Sequence, residues 1–195
     1  MRVLITGGAG YVGSRLVPAL LEDGHEVVVY DTFWFGDYLP PADPLPERNR
    51  IFRVEDDIRD IAGFKMALKV WGQVDAVIHL ACLSNDPSSE IDADLTKAIN
   101  LDAFGSLVQA AHMAGVRRFI NCSTSSVYGV SDAPDVLEDH PHIPLTLYNT
   151  YKSQCAAVLQ RQYPGGGAPD FFWPTIRPST VCGSSPRPRL ALAVN

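Results

Sequence analysis

The sequence predicts an α/β fold in which helices cover both faces of a doubly wound parallel sheet. Three observations support this prediction. Short apolar runs alternate with segments of helical periodicity, and strands separated by helices tend to lie parallel in one sheet. A glycine-rich segment joins the first predicted strand to the first predicted helix. Polar residues capable of chemistry follow several predicted strands, at the edge where ligands bind in such sheets.

The first half of the chain begins this alternation. The apolar run at 2–6 ends in glycines and predicts a buried strand. Residues 11–22 carry apolar side chains at helical spacing, and Pro18 within them is expected to bend the helix. Further apolar runs predict strands at 26–30 and 51–54, on either side of a proline-rich surface loop.

The second half of the chain continues the pattern. Apolar runs and helical spacing predict, in chain order, a helix at 64–71, a strand at 74–80, a helix at 94–114, a strand at 117–122, a helix at 148–163 and a strand at 171–176. Gly115 is a typical stop for the long helix before it. Pro174 weakens the last strand, because proline cannot donate a hydrogen bond to a sheet.

Composition and charge limit the possible functions. The chain has 195 residues, of which 46% are hydrophobic and 19% charged, so it can form a folded core. Its formal net charge of -6 argues against nucleic acid as the main partner, and no apolar run reaches the ~20 residues of a membrane span. The four cysteines lie far apart without a C-x-x-C pair, which argues against a disulfide framework or a metal site and favours a cytoplasmic location.

The segment after the first strand carries glycines at 7, 10 and 13. Gly7 permits a tight turn, Gly10 lets the backbone approach a pyrophosphate, and Gly13 lets the helix pack closely on the strand. The free N–H groups at the start of the helix, which includes Tyr11 and Val12, would then face the phosphates. A plain turn is the alternative, but an acidic residue at the end of the next strand favours a dinucleotide site.

Acidic residues after the second and third strands extend this site. Asp31 can accept hydrogen bonds from the adenosine ribose hydroxyls and repel a 2′-phosphate, which favours NAD over NADP. Asp57 and Ile58 could hold the adenine, through the carboxylate and through apolar contact with the ring. Asp56 and Asp60 are close in sequence and leave this second assignment open.

Tyr148 and Lys152 lie at positions i and i+4 of a predicted helix and so share one face. A free tyrosine has a pKa of ~10. A lysine ammonium and a nicotinamide cation would lower the pKa of Tyr148, so that its phenolate can remove a proton from a substrate hydroxyl. Tyr148 and Lys152 are also predicted to contact the cofactor, and Lys152 can hold the nicotinamide ribose. Tyr151 is a rival base, but it points elsewhere on the helix.

Hydroxyl side chains follow the fifth strand at 123–126. One of them can bond the substrate oxygen and share the proton with Tyr148. Thr124, with Ser123 beside it, is the predicted shuttle, and Ser125 and Ser126 are alternatives. The competing interpretation is a serine-rich turn whose hydroxyls satisfy their own backbone.

Together these residues resemble the NAD-dependent epimerase/dehydratase branch of the extended short-chain dehydrogenase/reductase superfamily, which has a Rossmann-type sheet. The resemblance runs along the whole chain. It implies NAD as the cofactor and a homodimer formed through a four-helix bundle of the helices at 94–114 and 148–163. It also implies further residues around the cofactor, namely Leu80, Ala81, Cys82, Asn100, Pro178 and Val181.

One departure from the family pattern bears on the reaction. Hexose 4,6-dehydratases of this family carry Asp-Glu directly after the active-site threonine, whereas this chain has Ser125 and Ser126. Serine hydroxyls are poor acids and bases near neutral pH, so elimination of water is disfavoured. The resemblance then implies epimerisation of a nucleotide-sugar, with C4 of a hexose as the expected centre, through a transient 4-keto intermediate. A nucleotide-sugar dehydrogenase or reductase with net NAD(H) turnover, and a non-catalytic NAD-binding protein, are the alternatives.

Family members are longer than this chain, and their C-terminal part closes over the nucleotide-sugar. We therefore expect residues 1–178 to form an NAD-binding domain that carries Tyr148 and Lys152. Residues 179–195 would begin a substrate-binding region that is truncated here. Because that region normally selects the sugar and the nucleotide base, the sequence names neither.

Overall fold

The computed structural model describes residues 1–46, 48–84, 86–132, 136–164, 167–168 and 170–177. Within them the strands are β1 (Arg2–Thr6), β2 (Glu26–Asp31), β3 (Ile51–Glu55), β4 (Ala76–His79), β5 (Arg118–Cys122), β6 (Gly167–Ala168), β7 (Phe171–Phe172) and β8 (Thr175–Ile176). The α-helices are α1 (Gly13–Glu22), α2 (Ile61–Val70), α3 (Asp86–Ile91), α4 (Ala93–Lys97), α5 (Phe104–Met113) and α6 (Leu147–Gln162). A π-helical turn, Ala98–Asp102, joins α4 to α5, and a 3₁₀ turn, Ser125–Tyr128, follows β5.

The strands form one sheet in the order β3-β2-β1-β4-β5-β7-β6, and β8 also pairs with β5. Every pair is parallel except β6 with β7. Strand β1 lies between β2 and β4, so the chain reverses its winding direction there. This order confirms the predicted doubly wound α/β fold. The reversal opens a crevice beyond the carboxyl ends of β1 and β4, where ligands bind in such sheets.

Apolar side chains fill both faces of the sheet because helices cover both faces. Successive residues of a strand point to opposite faces. Leu4, Val28 and Tyr30 therefore pack with α2, α5 and α6. Val3 and Ile5 pack on the other face, against α1. A strand buried on both faces needs an almost continuous apolar sequence, which is what β1 and β2 have.

The helix predicted at 94–114 is wrong as one continuous element. The Asp92 side chain accepts a hydrogen bond from the Leu95 N–H (2.9 Å) and begins α4, and the π-helical turn then separates α4 from α5. Helix α3, which precedes them, was not predicted. Apolar periodicity could not locate the π-helical turn. Its two buried residues, Ile99 and Asn100, are consecutive and one of them is polar, so they do not follow the apolar spacing of an α-helix.

The strand predicted at 171–176 is also wrong as one element. It forms β7 and β8, with Trp173 and Pro174 between them. Pro174 has no N–H for the sheet, but its carbonyl oxygen accepts the Asn121 N–H (3.0 Å) and keeps the segment beside β5. Pro18, in contrast, lies inside α1 without ending it.

Candidate active site

The turn between β1 and α1 requires glycine at two positions for steric reasons. Gly7 has a φ of +71°, and a Cβ there would lie 2.5 Å from the Ala81 nitrogen. A Cβ at Gly13 would lie 2.1 Å from the Gly8 carbonyl oxygen, so α1 packs this closely on the turn only without a side chain. The tight turn and the close packing expected from the sequence are therefore both present.

A cavity of about 550 Å³ opens beyond the carboxyl ends of β1 to β4, and its volume falls within the range of cofactor sites. Nine of the predicted cofactor-binding residues line it, namely Gly7, Gly10, Tyr11, Asp31, Asp57, Ile58, Leu80, Ala81 and Cys82. Val12 and Gly13 are not part of its wall. Gly13 instead packs α1 on the turn, and the Val12 side chain is half exposed.

Asp31 connects two loops of the cavity wall. Its Oδ2 accepts the Ala9 N–H in the glycine-rich turn (2.9 Å), and its Oδ1 accepts the Phe33 N–H in the loop after β2 (2.9 Å). The sequence predicted only a ribose ligand here. Because each carboxylate oxygen has a second lone pair, Asp31 can serve both purposes at once.

The three carboxylates after β3 have separate roles. Asp57 forms an ion pair with Arg59 (2.6 Å), which holds the pKa of the Asp57 carboxyl below its usual range. Asp56 accepts the Asp57 N–H (2.7 Å), and Asp60 caps α2. Asp56, Asp57 and Ile58 all line the cavity. Arg59 therefore competes with any adenine amino group for the Asp57 carboxylate, which the sequence did not indicate.

Asn100 lies behind the cavity wall and does not line it. Its Oδ1 accepts the Leu83 N–H (2.8 Å), and its Nδ2 donates to the Leu83 carbonyl oxygen (3.0 Å). The oxygen and the nitrogen of the buried Asn100 side chain therefore both bond to the backbone of Leu83. Asn100 thus fixes the loop after β4, which supplies Leu80 to Cys82, and its contact with the cofactor stays a prediction.

The predicted catalytic pair lies on α6 and is anchored to the end of β5. Lys152 is buried, and its Nζ donates a hydrogen bond to the Cys122 carbonyl oxygen (2.9 Å). The same Nζ lies 5.8 Å from the centre of the Tyr148 ring. The i, i+4 spacing therefore places the ammonium beside the phenol, as expected. Neither residue lines the cavity, but Cys82 lines it and contributes to the raised pKa of Tyr148.

Burial and charge act against each other at this pair. Burial raises the pKa of Tyr148, the nearby Lys152 ammonium lowers it, and the net pKa is about 12. Among the protein groups, burial therefore outweighs the lysine, and the predicted lowering of this pKa also requires the nicotinamide cation. Burial lowers the pKa of Lys152, but the groups of Cys82, Tyr148 and Cys122 favour its charged form and hold that pKa above its usual value. Lys152 is thus an ammonium at neutral pH.

The hydroxyls after β5 have unequal surroundings. Thr124 Oγ1 accepts the Ser126 N–H (3.2 Å) and caps the 3₁₀ turn. One lone pair of this hydroxyl therefore satisfies the backbone of the turn, as the competing interpretation of a serine-rich turn expects. Its O–H group remains a donor that a substrate oxygen could use. Ser123 Oγ is buried and has no hydrogen-bond partner within the described part of the chain.

Two features of the site escaped the sequence analysis. The Cys82 side chain contributes to the raised pKa of Tyr148, an effect between residues far apart in the sequence that no local pattern could show. Aromatic side chains at Trp34 and Phe35 line the cavity although each is more than half exposed. The consecutive aromatics of a predicted surface loop were the available signal, since loops usually hold few of them.

Two predicted cofactor contacts, Pro178 and Val181, lie outside the described residues, as does the whole segment 179–195. Among the helices that the structure describes, none has the length and apolar character needed to cross a membrane.

Comparison with known proteins finds relatives of several activities. The chain is 30% identical to a 3-beta-hydroxysteroid dehydrogenase of Mycolicibacterium neoaurum, covering 93% of this chain and 48% of that protein. It is 30% identical to a dTDP-D-glucose 4,6-dehydratase of Mus musculus (82% and 45%) and 31% identical to a UDP-glucose 4-epimerase of Corynebacterium glutamicum (78% and 44%). The chain thus spans about half the length of the curated relatives it matches.

A solved structure shares both the fold and part of the sequence. It is the UDP-glucose 4-epimerase of Thermus thermophilus in complex with NAD, with a TM-score of 0.73 and 28% identity over 91% of this chain and 54% of that one. The model of the family described as "NAD dependent epimerase/dehydratase family" matches residues 3–193. Since this match covers nearly the whole sequence, the chain belongs to the NAD-dependent epimerase/dehydratase family.

Proposed function

We propose that this chain carries the NAD-binding and catalytic part of an enzyme that epimerises a nucleotide-sugar, with C4 of a hexose as the reacting centre. The observation that carries the proposal is the pair of Tyr148 and Lys152 on α6, which the hydrogen bond from Lys152 to the Cys122 carbonyl oxygen anchors to the end of β5. Relatives named UDP-glucose 4-epimerase and the NAD complex of one such enzyme support it.

The residues of the cavity fit a dinucleotide. Gly7 and Gly10 leave bare backbone in the wall for a pyrophosphate, and Asp31 retains lone pairs for ribose hydroxyls while its charge disfavours a 2′-phosphate. NAD, when bound, would accept a hydride from the sugar carbon and return it. We therefore assign NAD to this cavity.

The side chains of the chain handle the proton. Tyr148 removes the proton of the sugar hydroxyl as the 4-keto intermediate forms, and it returns the proton when the hydroxyl is restored. The Lys152 ammonium stabilises the resulting phenolate. Thr124 donates a hydrogen bond from its hydroxyl to the sugar oxygen, while one of its two lone pairs accepts the Ser126 N–H. Inversion at the carbon requires only that the keto sugar turns over before the hydride returns.

Ser125 and Ser126 favour epimerisation over dehydration. Dehydratases of this family need an acid and a base directly after the active-site threonine, and these two positions are serines here. Dehydratases are nevertheless among the relatives, so the distinction depends on these residues.

A dehydrogenase or reductase with net cofactor turnover is the second candidate. A steroid dehydrogenase among the relatives favours it. The same three side chains, Tyr148, Lys152 and Thr124, could serve either reaction. A non-catalytic NAD-binding protein would not need the buried Lys152 beside Tyr148.

The deciding experiment incubates UDP-, GDP- and dTDP-hexoses with the chain and a trace of NAD. Proton NMR follows the sugars while absorbance at 340 nm follows NADH. A new sugar isomer without net NADH is expected. Accumulation of NADH with an oxidised sugar would replace the proposal with a dehydrogenase, and a 4-keto-6-deoxy product would replace it with a dehydratase.

A further inference from the structure

Asp86 reaches from the start of α3 to the start of α6, the helix that carries Tyr148 and Lys152. Its Oδ1 accepts a hydrogen bond from Thr146 Oγ1 at 2.6 Å. A donor–acceptor distance this short is typical of a hydroxyl bound to an ionised carboxylate, which is among the stronger hydrogen bonds in proteins. The contact joins residues 60 positions apart.

Thr146 is the residue that begins α6. Its Oγ1 accepts the Asn149 N–H (3.3 Å), and its carbonyl oxygen accepts the Thr150 N–H (2.9 Å). The same hydroxyl therefore caps the helix with its lone pair and donates its proton to Asp86. Tyr148 lies in the first turn of α6, so whatever holds Thr146 also sets the position of the phenol.

The other end of this contact is firmly held. Ser89 Oγ donates to the Asp86 carbonyl oxygen (2.7 Å), and Thr96 Oγ1 donates to the Ser89 carbonyl oxygen (2.9 Å). Ser89 and Thr96 are fully buried. Buried polar groups with satisfied hydrogen bonds form rigid networks, so α3 offers a fixed base.

The same segment leads back to the cavity. Asn100 clamps Leu83, and residues 80–84 line the cavity wall. Asp86 thus stands between a fixed part of the cofactor cavity and the helix that carries the candidate base. A carboxylate at the N-terminus of α6 is also favourable with the helix dipole.

We propose that Asp86 is a positioning residue that sets Tyr148 and Lys152 relative to the cavity by holding the Thr146 hydroxyl. This inference rests on the proposed function for its effect on turnover. Its structural effect, the orientation of the Tyr148 hydroxyl, can be measured without turnover. A misplacement of about 1 Å can lower a catalytic rate by up to ~100-fold, so such a contact bears directly on activity.

The test compares Asp86→Asn with Asp86→Ala in the 195-residue chain. Both substitutions remove the charge, but asparagine keeps an oxygen that can accept from Thr146. The main readout is the titration of Tyr148, followed by NMR of a chain labelled with ¹³C at tyrosine Cζ. The Tyr148→Phe variant identifies the signal.

We expect Asp86→Ala to lower the pKa of Tyr148 from about 12 toward the ordinary ~10, because a freed helix start admits water to the phenol. Asp86→Asn should leave it near the wild-type value. An equal shift in both variants would show that Asp86 acts through its charge alone, and no shift in either would show that it positions nothing. Either result overturns the inference.

Thr146 provides a second pair of variants. This pair tests the inference even when Asp86→Ala does not fold. Thr146→Val removes both hydrogen bonds of the hydroxyl and should shift the Tyr148 titration, whereas Thr146→Ser keeps both and should not. Equal titrations in these two variants would contradict the inference.

Turnover supplies an independent readout. With the nucleotide-sugar that the wild-type chain converts, Asp86→Ala should lower kcat by about tenfold or more while the Kd for NAD changes by less than about twofold. A wild-type chain that does not bind NAD contradicts the proposed function. The Tyr148 titration then still decides the role of Asp86.

Discussion

Tyr148 shows how burial and charge compete at a single residue. Its hydroxyl is partly buried, which penalises the phenolate, and Lys152 offsets only part of that penalty, so the net pKa is about 12. A base for chemistry near neutral pH needs a lower value. Further positive charge close to the hydroxyl would supply it, which agrees with a cationic nicotinamide in the adjoining cavity.

Replacement of Tyr148 by phenylalanine tests the base directly. We expect Tyr148→Phe to lower kcat by at least ~100-fold, because general-base catalysis contributes a factor of this order, while the Kd for NAD stays close to the wild-type value. Tyr151→Phe is the matched control on the same helix and should keep its activity. Comparable activity in the two variants would remove Tyr148 from the mechanism.

Asp31 is predicted to set the preference for NAD over NADP. Asp31→Asn removes the negative charge but keeps an oxygen for the Ala9 or Phe33 N–H, so the loops should stay in place. We expect the Kd for NADP divided by the Kd for NAD to fall by up to about fivefold, since one exposed charge interaction is worth up to ~1 kcal/mol. Fluorescence titration with both cofactors measures it. An unchanged ratio would assign Asp31 a purely structural role.

His79 is predicted to make the fold sensitive to acid. It is buried, Thr6 Oγ1 lies 2.8 Å from its Nδ1, and burial together with the Lys152 charge lowers its pKa to about 3. The unfolded chain binds a proton at this residue below pH ~6.5, whereas the folded chain stays neutral down to about pH 3. Stability therefore falls as the pH falls through this window.

Denaturant unfolding between pH 6.5 and 5 measures the effect of His79. The wild-type chain should lose up to about 1.4 kcal/mol of unfolding free energy per pH unit from this group, and His79→Asn should lack that contribution. Parallel pH dependences in the two proteins would mean that His79 is charged in the folded state.

At the scale of elements, α1 packs closely on the glycine-rich turn, which supplies Gly7, Ala9 and Gly10 to the cavity wall. The Gly13 position leaves no room for a methyl group, because a Cβ would meet backbone atoms of Gly8 that cannot move aside. Gly105 in α5 is different, since a Cβ there would meet the flexible end of the Gln162 side chain at 3.1 Å. The two glycines therefore form a matched pair.

Alanine at these two positions should have opposite effects on stability. Gly13→Ala is expected to destabilise the fold by about 1–3 kcal/mol and to weaken NAD binding, because α1 must move off the turn. Gly105→Ala should be neutral or stabilise by up to ~1 kcal/mol, since alanine favours a helix. Thermal or denaturant unfolding measures both. Equal effects would contradict the packing argument.

At the scale of the whole molecule, the family resemblance predicts a homodimer formed through a four-helix bundle of the segments 94–114 and 148–163 of each subunit. Sedimentation velocity is the test, and we expect a particle of about twice the 21.3 kDa mass of one chain. A particle with the mass of one chain throughout a concentration series would contradict the dimer. The predicted division at residue 178 falls at the edge of the described residues and stays a prediction.

Local sequence patterns were sufficient for the sheet, the glycine-rich turn and the pairing of Tyr148 with Lys152. Each of these depends on neighbours within a few residues: apolar runs for strands, three glycines for the turn, and one helical turn between the two side chains. The π-helical turn and the split of the last strand were missed because packing against other elements determines them.

Tertiary structure alone decided the chemistry around these residues. Asp31 joins two loops and Asn100 clamps Leu83, both through hydrogen bonds that the position of these residues in the sequence does not show. The pKa of Tyr148 likewise depends on how much water the fold removes from the phenol, which no spacing of residues reveals. Sequence therefore determined which groups meet within an element, and the fold decided their surroundings, because burial and long-range hydrogen bonds arise only when separate elements pack together.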